Sequence, residues 1–158
     1  LRKPLWRDLE EAKKQLLWGL SQADVVKISD EEVKFLFGLS PEEGAEHILA
    51  QFGVKLVFVT CGAEGCVYRN RNGGGKVSAL AGITVADTTG AGDIFGGSAV
   101  WKLLQTGKTP EDLSEEELRS VVTFACVAAG LSTTRAGGIS SVPTYEEVLC
   151  AQKKGGIR

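Results

Sequence analysis

Residues 85–97 read VADTTGAGDIFGG and place a glycine-rich loop between an apolar, strand-like run and an apolar, helix-like run. Where a loop leads from a strand into a helix, the unpaired N–H groups of the first helical turn and the helix dipole favour a negatively charged ligand. Glycines let the backbone approach such a ligand closely. The stretch therefore predicts an anion site, although a tight turn without a ligand would use the same residue types.

Two common nucleotide-binding motifs do not fit this loop. A Walker A loop has lysine after its last glycine, where this chain has Asp93. The dinucleotide fingerprint is spaced G-x-G-x-x-G, whereas Gly90, Gly92 and Gly96 are spaced G-x-G-x-x-x-G. That fingerprint also requires a strand after the helix of the loop, and the sequence predicts a second helix there. Both motifs are therefore excluded.

The carboxylate of Asp93 would repel a resting phosphate, so an aspartate at this position indicates a chemical role. The role of a general base fits. Beside amides that stabilise a transferring phosphoryl group, a carboxylate can take the proton from an attacking hydroxyl. The loop therefore indicates a kinase.

The composition is typical of one globular domain. The 158 residues are 43% hydrophobic and 24% charged, and the formal net charge is −2. A chain with this charge has no net positive field that would attract nucleic acid or an anionic membrane. No run reaches the ~20 apolar residues of a membrane span. The four cysteines lack metal-ligand spacing, which favours reduced thiols in a cytoplasmic protein. The absence of methionine predicts that the chain is a piece of a longer protein.

Hydrophobic periodicity and capping signals predict helices that alternate with short apolar strands. Pro4 suits a first helical turn, and two serine–glutamate pairs, Ser29 with Glu32 and Ser114 with Glu117, match the capping box. The predicted elements are helices at 4–23, 30–37, 41–52, 94–106, 115–134 and 144–154, strands at 24–28, 55–62 and from 83, and a hairpin at 65–82. This order predicts an α/β fold with a mostly parallel sheet flanked by helices.

The segment DTTGAGDIFGG (87–97) closely resembles the signature D-T-x-G-A-G-D-x-F of the ribokinase-like carbohydrate kinases. Three further segments are similar to other parts of that family: VKISDEEVKFLFG (26–38) to its N-x-x-E segment, VFVTCGAEGCVY (57–68) to its nucleotide-side strand and turn, and STTRAGGISSVP (132–143) to its cation loop. The resemblance covers essentially the whole chain but only the C-terminal half of a family member. It implies a ribokinase-like fold in which residues 1–158 form the nucleotide-binding half, without the N-terminal sugar-binding half and lid.

The opening LRKPLW (1–6) resembles the segment that follows D-P-N in bacterial fructokinases. The resemblance implies ATP-dependent phosphorylation of fructose to fructose 6-phosphate. The alternatives are another sugar kinase of the family, such as a 2-keto-3-deoxygluconate kinase or a ribokinase, and a non-catalytic nucleotide-binding module. The implied partners are a small sugar and ATP, with neither nucleic acid nor membrane, and a homodimer would form through the lid that the chain lacks.

The resemblance also assigns catalytic and nucleotide-binding roles. Asp93 matches the general base that contacts the sugar hydroxyl and removes its proton. The amides of Gly90, Ala91 and Gly92 match the anion hole that holds the transferring phosphoryl group. The positions that match the nucleotide pocket are Thr60, Gly62 and Gly65.

Two cation sites are implied by the same resemblance. Glu32 matches the acid that organises Mg²⁺ and its waters near the phosphates, although it could serve only the capping box. Asp87 and Thr89 match ligands of a monovalent cation, K⁺, which would fix the loop. The other matching K⁺ ligands are the carbonyls of Ser132, Arg135 and Gly137 and the hydroxyl of Ser141.

Three positions qualify these assignments. Many family members have asparagine where this chain has Ser29, and the shorter side chain reaches less far toward a phosphate. Many also have asparagine where this chain has Cys126, near the nucleobase. Arg2 matches a residue near the transferred phosphate in fructokinases, or is only a surface residue.

Overall fold

The computed structural model describes residues 3–154. The α-helices are α1 (Leu9–Leu20), α2 (Asp30–Phe37), α3 (Pro41–Phe52), α4 (Ala91–Leu104), α5 (Glu115–Ser132) and α6 (Tyr145–Lys154). The strands are β1 (Val25–Ser29), β2 (Leu56–Thr60), β3 (Cys66–Asn70) and β4 (Gly73–Val77). Short 3-10 helices lie at Lys3–Leu5, Gly62–Glu64, Pro110–Asp112 and Ile139–Ser141.

The predicted capping boxes of α2 and α5 are confirmed, and α3 begins with a third. In each, a serine hydroxyl accepts the backbone N–H of the glutamate three residues later, and that glutamate side chain accepts the N–H of the serine. The first helix begins later than predicted, at Leu9, because the Asp8 side chain caps it by accepting the N–H of Glu10. Pro4 lies instead in a separate 3-10 turn.

The four described strands form one mixed sheet in the order β1-β2-β3-β4. β1 and β2 are parallel, with Ser29 opposite Thr60 at their carboxyl ends, whereas β2–β3 and β3–β4 are antiparallel. The α/β class and the hairpin are confirmed, but the sheet is not mostly parallel. One reason is that the expected strand from residue 83 does not form. There the N–H groups of Ala86 and Asp87 donate to the carbonyl of Thr133, at the end of α5.

Both faces of the sheet are covered by helices. Helices α1–α3 pack on one face through residues such as Val33 and Ile48, and helices α4 and α5 pack on the other through Phe95 and Val122. Strand β2 is buried on both faces, as its unbroken apolar sequence predicts. Within the described residues, no helix is both long and apolar enough to cross a membrane.

Candidate active site

The glycine-rich loop turns into α4 at Gly90. This residue is the N-cap of α4 and has a left-handed backbone with a φ of +79°. A Cβ atom there would lie 3.3 Å from the Cα of Gly138 in the facing loop. The carbonyl of Gly90 accepts the N–H of Ile94 at 2.9 Å, so the helix starts at Ala91, three residues before its predicted start.

Unpaired backbone donors are present at the start of α4, as the sequence predicts, but not at every expected residue. The N–H of Ala91 donates to the carbonyl of Thr88 at 3.2 Å. In the part of the chain that the structure describes, the N–H groups of Gly90, Gly92 and Asp93 have no protein acceptor. Of the three amides that the sequence analysis assigned to the anion hole, that of Ala91 is thus bonded within the chain, and the N–H of Asp93 is a further unpaired donor in this turn.

Two clefts flank the first turn of α4. One, of about 470 Å³, is bordered by Ala91 and Gly92 and also by the three residues that match the nucleotide pocket, Thr60, Gly62 and Gly65. The predicted nucleotide residues thus come together beside the predicted anion hole. We call this cavity the nucleotide cleft.

The other cleft, of about 540 Å³, lies between α4 and α6 and is bordered by Gly90 and Asp93. The exposed Asp93 side chain is therefore on the opposite side of the helical turn from the nucleotide cleft. Further along, this second cleft is lined by an aromatic group in which Trp101 and Tyr145 have ring centroids 5.5 Å apart.

Apart from Phe95 of the signature and Cys126, the apolar walls of the nucleotide cleft are residues that the motifs do not indicate. They come from the segment after β4 and from α4 and α5, and they include Leu80, Ile83, Phe95, Cys126, Ala129 and Gly130. Burial raises the pKa of the Cys126 thiol to about 12, so this side chain is neutral at physiological pH. These walls of the cleft are therefore uncharged and apolar.

The polar end of the nucleotide cleft is set by the turn between β2 and β3. Thr60 ends β2, and its hydroxyl donates to the carbonyl of Ile28 at 3.4 Å. Gly65 has a φ of +96°, and a Cβ atom there would lie 2.0 Å from the carbonyl oxygen of Val77. Only glycine allows the turn to lie this close to the end of β4.

Asp87 joins the glycine-rich loop to the loop that follows α5. One carboxylate oxygen accepts the N–H of Gly137 and the other accepts the N–H of Thr89, each at 2.9 Å. These hydrogen bonds lower the pKa of Asp87 to about 2, so the carboxylate is charged at neutral pH. Three of the predicted K⁺ ligands are thus brought together.

The remaining predicted K⁺ ligands belong to the same loop or border it. Ser132 and Ser141 are buried, and their hydroxyls donate to the carbonyls of Ala129 and Gly138. The guanidinium of Arg135 pairs with Glu147, which ties the loop to α6. Among the residues described, no group of three histidine, cysteine or acidic side chains could hold a metal. The donor set is therefore one carboxylate with carbonyl and hydroxyl oxygens, which suits a hard cation.

Glu32, the residue predicted to organise Mg²⁺, lies outside the lining of the two clefts. The Glu32 carboxylate accepts the N–H of Ser29 at 2.9 Å, which confirms its capping role. Arg2 lies outside the described residues.

A mixed α/β domain with D-T-T-G-A-G-D at the start of a helix, beside a cleft and a candidate base, has the architecture of a ribokinase-like domain. A comparison with protein families gives the particular group. The model of the pfkB family carbohydrate kinases matches residues 1–145, so the chain belongs to this family.

The relatives of the chain include fructokinases of plants and bacteria. It is 39% identical over 156 residues to Fructokinase-2 of Solanum lycopersicum, and this alignment covers 98% of this chain and 47% of that protein. The crystal structure of fructokinase from Xylella fastidiosa with bound ATP is 30% identical, with a TM-score of 0.86, over 98% of this chain and 50% of that one. A fructokinase double mutant from Vibrio cholerae, crystallised with fructose, ADP and potassium ion, is 31% identical, with a TM-score of 0.82, over 95% and 47% of the two chains. The chain thus spans about half the length of these relatives.

Proposed function

We propose that the chain is the nucleotide-binding half of an ATP-dependent fructokinase. The observation that carries this proposal is the first turn of α4, where unpaired amides and the Asp93 carboxylate lie between two clefts. The similarity to fructokinases, two of them crystallised with ATP or with fructose and ADP, supports the choice of substrates. The sugar-binding half and the lid would lie in a part of the protein outside these 158 residues.

The reaction assigned to the turn is an in-line phosphoryl transfer. The bond between the terminal phosphorus of ATP and the oxygen of ADP breaks, and a bond from that phosphorus to a fructose hydroxyl oxygen forms. Asp93 takes the proton of that hydroxyl. The N–H groups of Gly90, Gly92 and Asp93 hold the negative charge on the transferring oxygens. The products are ADP and fructose 6-phosphate.

The nucleotide cleft would hold the adenosine part of ATP. Its apolar walls, among them Leu80 and Phe95, would bury the base and ribose. Thr60, Gly62 and Gly65 lie at the polar end of the cleft and would position the nucleotide. The phosphates would then lie at the start of α4, where the helix dipole favours negative charge.

The cations have separate positions in this proposal. Mg²⁺ would be held near the phosphates by Glu32 through water and would neutralise phosphate charge. K⁺ would be held by Asp87, Thr89 and the loop after α5, and its positive charge would fix the position of the anion hole. The chain itself already holds the two loops together through the hydrogen bonds of Asp87.

The proposal predicts that potassium activates the enzyme. We expect the full-length protein to phosphorylate fructose with ATP and Mg²⁺. Turnover should fall about fivefold or more when K⁺ is replaced by tetramethylammonium at constant ionic strength, because coupling between two binding sites is typically of this size or larger. The measurement is ADP release in a coupled assay.

Two variants test whether the response to K⁺ depends on the predicted cation site. Asp87→Asn should abolish the response to K⁺, whereas Asp24→Asn, a surface carboxylate paired with Lys55, should retain it. Turnover of the wild-type enzyme that is indifferent to the exchange of K⁺ would refute the cation assignment. A protein that phosphorylates no sugar in either salt would refute the fructokinase proposal itself.

A further inference from the structure

Lys27 reaches the start of α4 from the neighbouring strand. It is the middle residue of β1, between the buried Val26 and Ile28, which face the helices on the other side of the sheet. Its Nζ atom lies 3.1 Å, and its Cε atom 3.9 Å, from the position that a Cβ atom on Gly92 would occupy. The exposed ammonium group is therefore beside one of the unpaired amides of the anion hole.

The charge of Lys27 has no direct partner in the part of the chain that the structure describes. No carboxylate, that of Asp93 included, lies within 4 Å of its Nζ atom. A positive charge beside a helix N-terminus is unfavourable, because the helix dipole is positive at that end. The ammonium group and the amides become mutually compatible when an anion lies between them.

We propose that Lys27 is a further catalytic residue, which binds the terminal phosphoryl group of the nucleotide during transfer. This inference rests on the proposed function, because it takes the start of α4 to be the phosphate site. The ammonium of lysine is a compact charge suited to phosphate. No family motif used above assigns this role to Lys27.

The role is electrostatic and leaves the proton on lysine. As the phosphorus passes from the ADP oxygen to the sugar oxygen, negative charge is shared among its three other oxygens. The nearby Asp93 carboxylate repels that charge before it takes the hydroxyl proton. Lys27 offsets this repulsion, and the electrostatic stabilisation is greatest in the transition state of the transfer.

The test is Lys27→Met in the full-length enzyme, with Lys34→Met as the matched control because Lys34 is an exposed lysine on α2. A hydrogen bond to a charged group is worth enough for Lys27→Met to lower kcat roughly 10- to 100-fold. The KM for fructose and the affinity for ADP, which lacks the terminal phosphate, should change less than about threefold. Lys27→Arg should restore part of kcat, and Lys34→Met should match the wild type.

The outcomes separate this inference from the proposed function. If Lys27→Met keeps kcat within a factor of two of the wild type, or if it loses ADP affinity as strongly as kcat, Lys27 does not act on the terminal phosphoryl group. In that case a wild-type enzyme that still phosphorylates fructose leaves the proposed function in place. A wild-type enzyme that phosphorylates no sugar overturns both. Thermal unfolding of each variant shows whether the fold is retained.

Discussion

Replacement of Asp93 with alanine is expected to lower the rate of fructose phosphorylation roughly 10²- to 10⁴-fold in the full-length enzyme, the usual loss when a positioned general base is removed. Affinity for ATP should remain nearly unchanged. Asp93 borders the cleft on the far side of the helical turn from the nucleotide cleft, so its removal leaves the nucleotide contacts in place. Steady-state kinetics and titration with ATP measure the two quantities separately.

A matched control for Asp93→Ala is Glu116→Ala. Glu116 is also an exposed acidic residue in the first turn of a helix, in this case α5, and its removal should leave turnover unchanged. An Asp93→Ala enzyme that keeps more than a tenth of the wild-type turnover would disprove the assignment of Asp93 as the base.

Replacement of Gly65 with alanine is expected to destabilise the domain more than any other glycine-to-alanine change in the nucleotide cleft. The new Cβ atom would lie 2.0 Å from the carbonyl oxygen of Val77 and 2.7 Å from the backbone nitrogen of Ala79, on a backbone with a φ of +96°. The contact is with backbone, so relief requires the turn to move away from β4. Backbone strain and overpacking together correspond to a loss of roughly 2–6 kcal/mol in the free energy of unfolding.

Gly62→Ala provides the control within the same turn. Gly62 also has a positive φ, of +52°, but an added Cβ atom would meet no atom within 4 Å. This change should lower the free energy of unfolding by about 1 kcal/mol, from backbone strain alone. Denaturant unfolding followed by circular dichroism measures both variants. Equal stabilities for Gly65→Ala and Gly62→Ala would contradict the close packing of this turn against β4.

The helices could be predicted from the sequence because their ends are encoded locally. The serine–glutamate pairs at Ser29 and Ser114 define where α2 and α5 begin, through contacts only three residues apart. The sequence predicts a strand from residue 83 because the apolar residues there suit one. In the structure, N–H groups of this run bond to Thr133, about fifty residues later in the chain, and no local pattern specifies that partner.

The residues of the candidate site also fall into two groups, those that the sequence indicates and those that only the folded structure brings to the site. The glycine-rich loop and Asp93 could be found from the sequence because the residues that act together are adjacent in it. The walls of the nucleotide cleft, such as Leu80 and Ala129, could not, because apolar residues of this kind serve equally well in any core. Lys27 could not be found from the sequence either, since only the folded chain brings its ammonium group from β1 to Gly92 at the start of α4.

The central claim is that these 158 residues form the nucleotide-binding half of a sugar kinase. Its most direct test is to assay the purified chain beside the full-length protein with ATP, Mg²⁺, K⁺ and fructose, and to measure fructose 6-phosphate. Most of the catalytic benefit depends on holding the sugar hydroxyl in line with the terminal phosphate. We therefore expect the full-length protein to form fructose 6-phosphate and the 158-residue chain to form none. A short chain that turns over fructose as fast as the long one, or a long one that forms no fructose 6-phosphate, would contradict the claim.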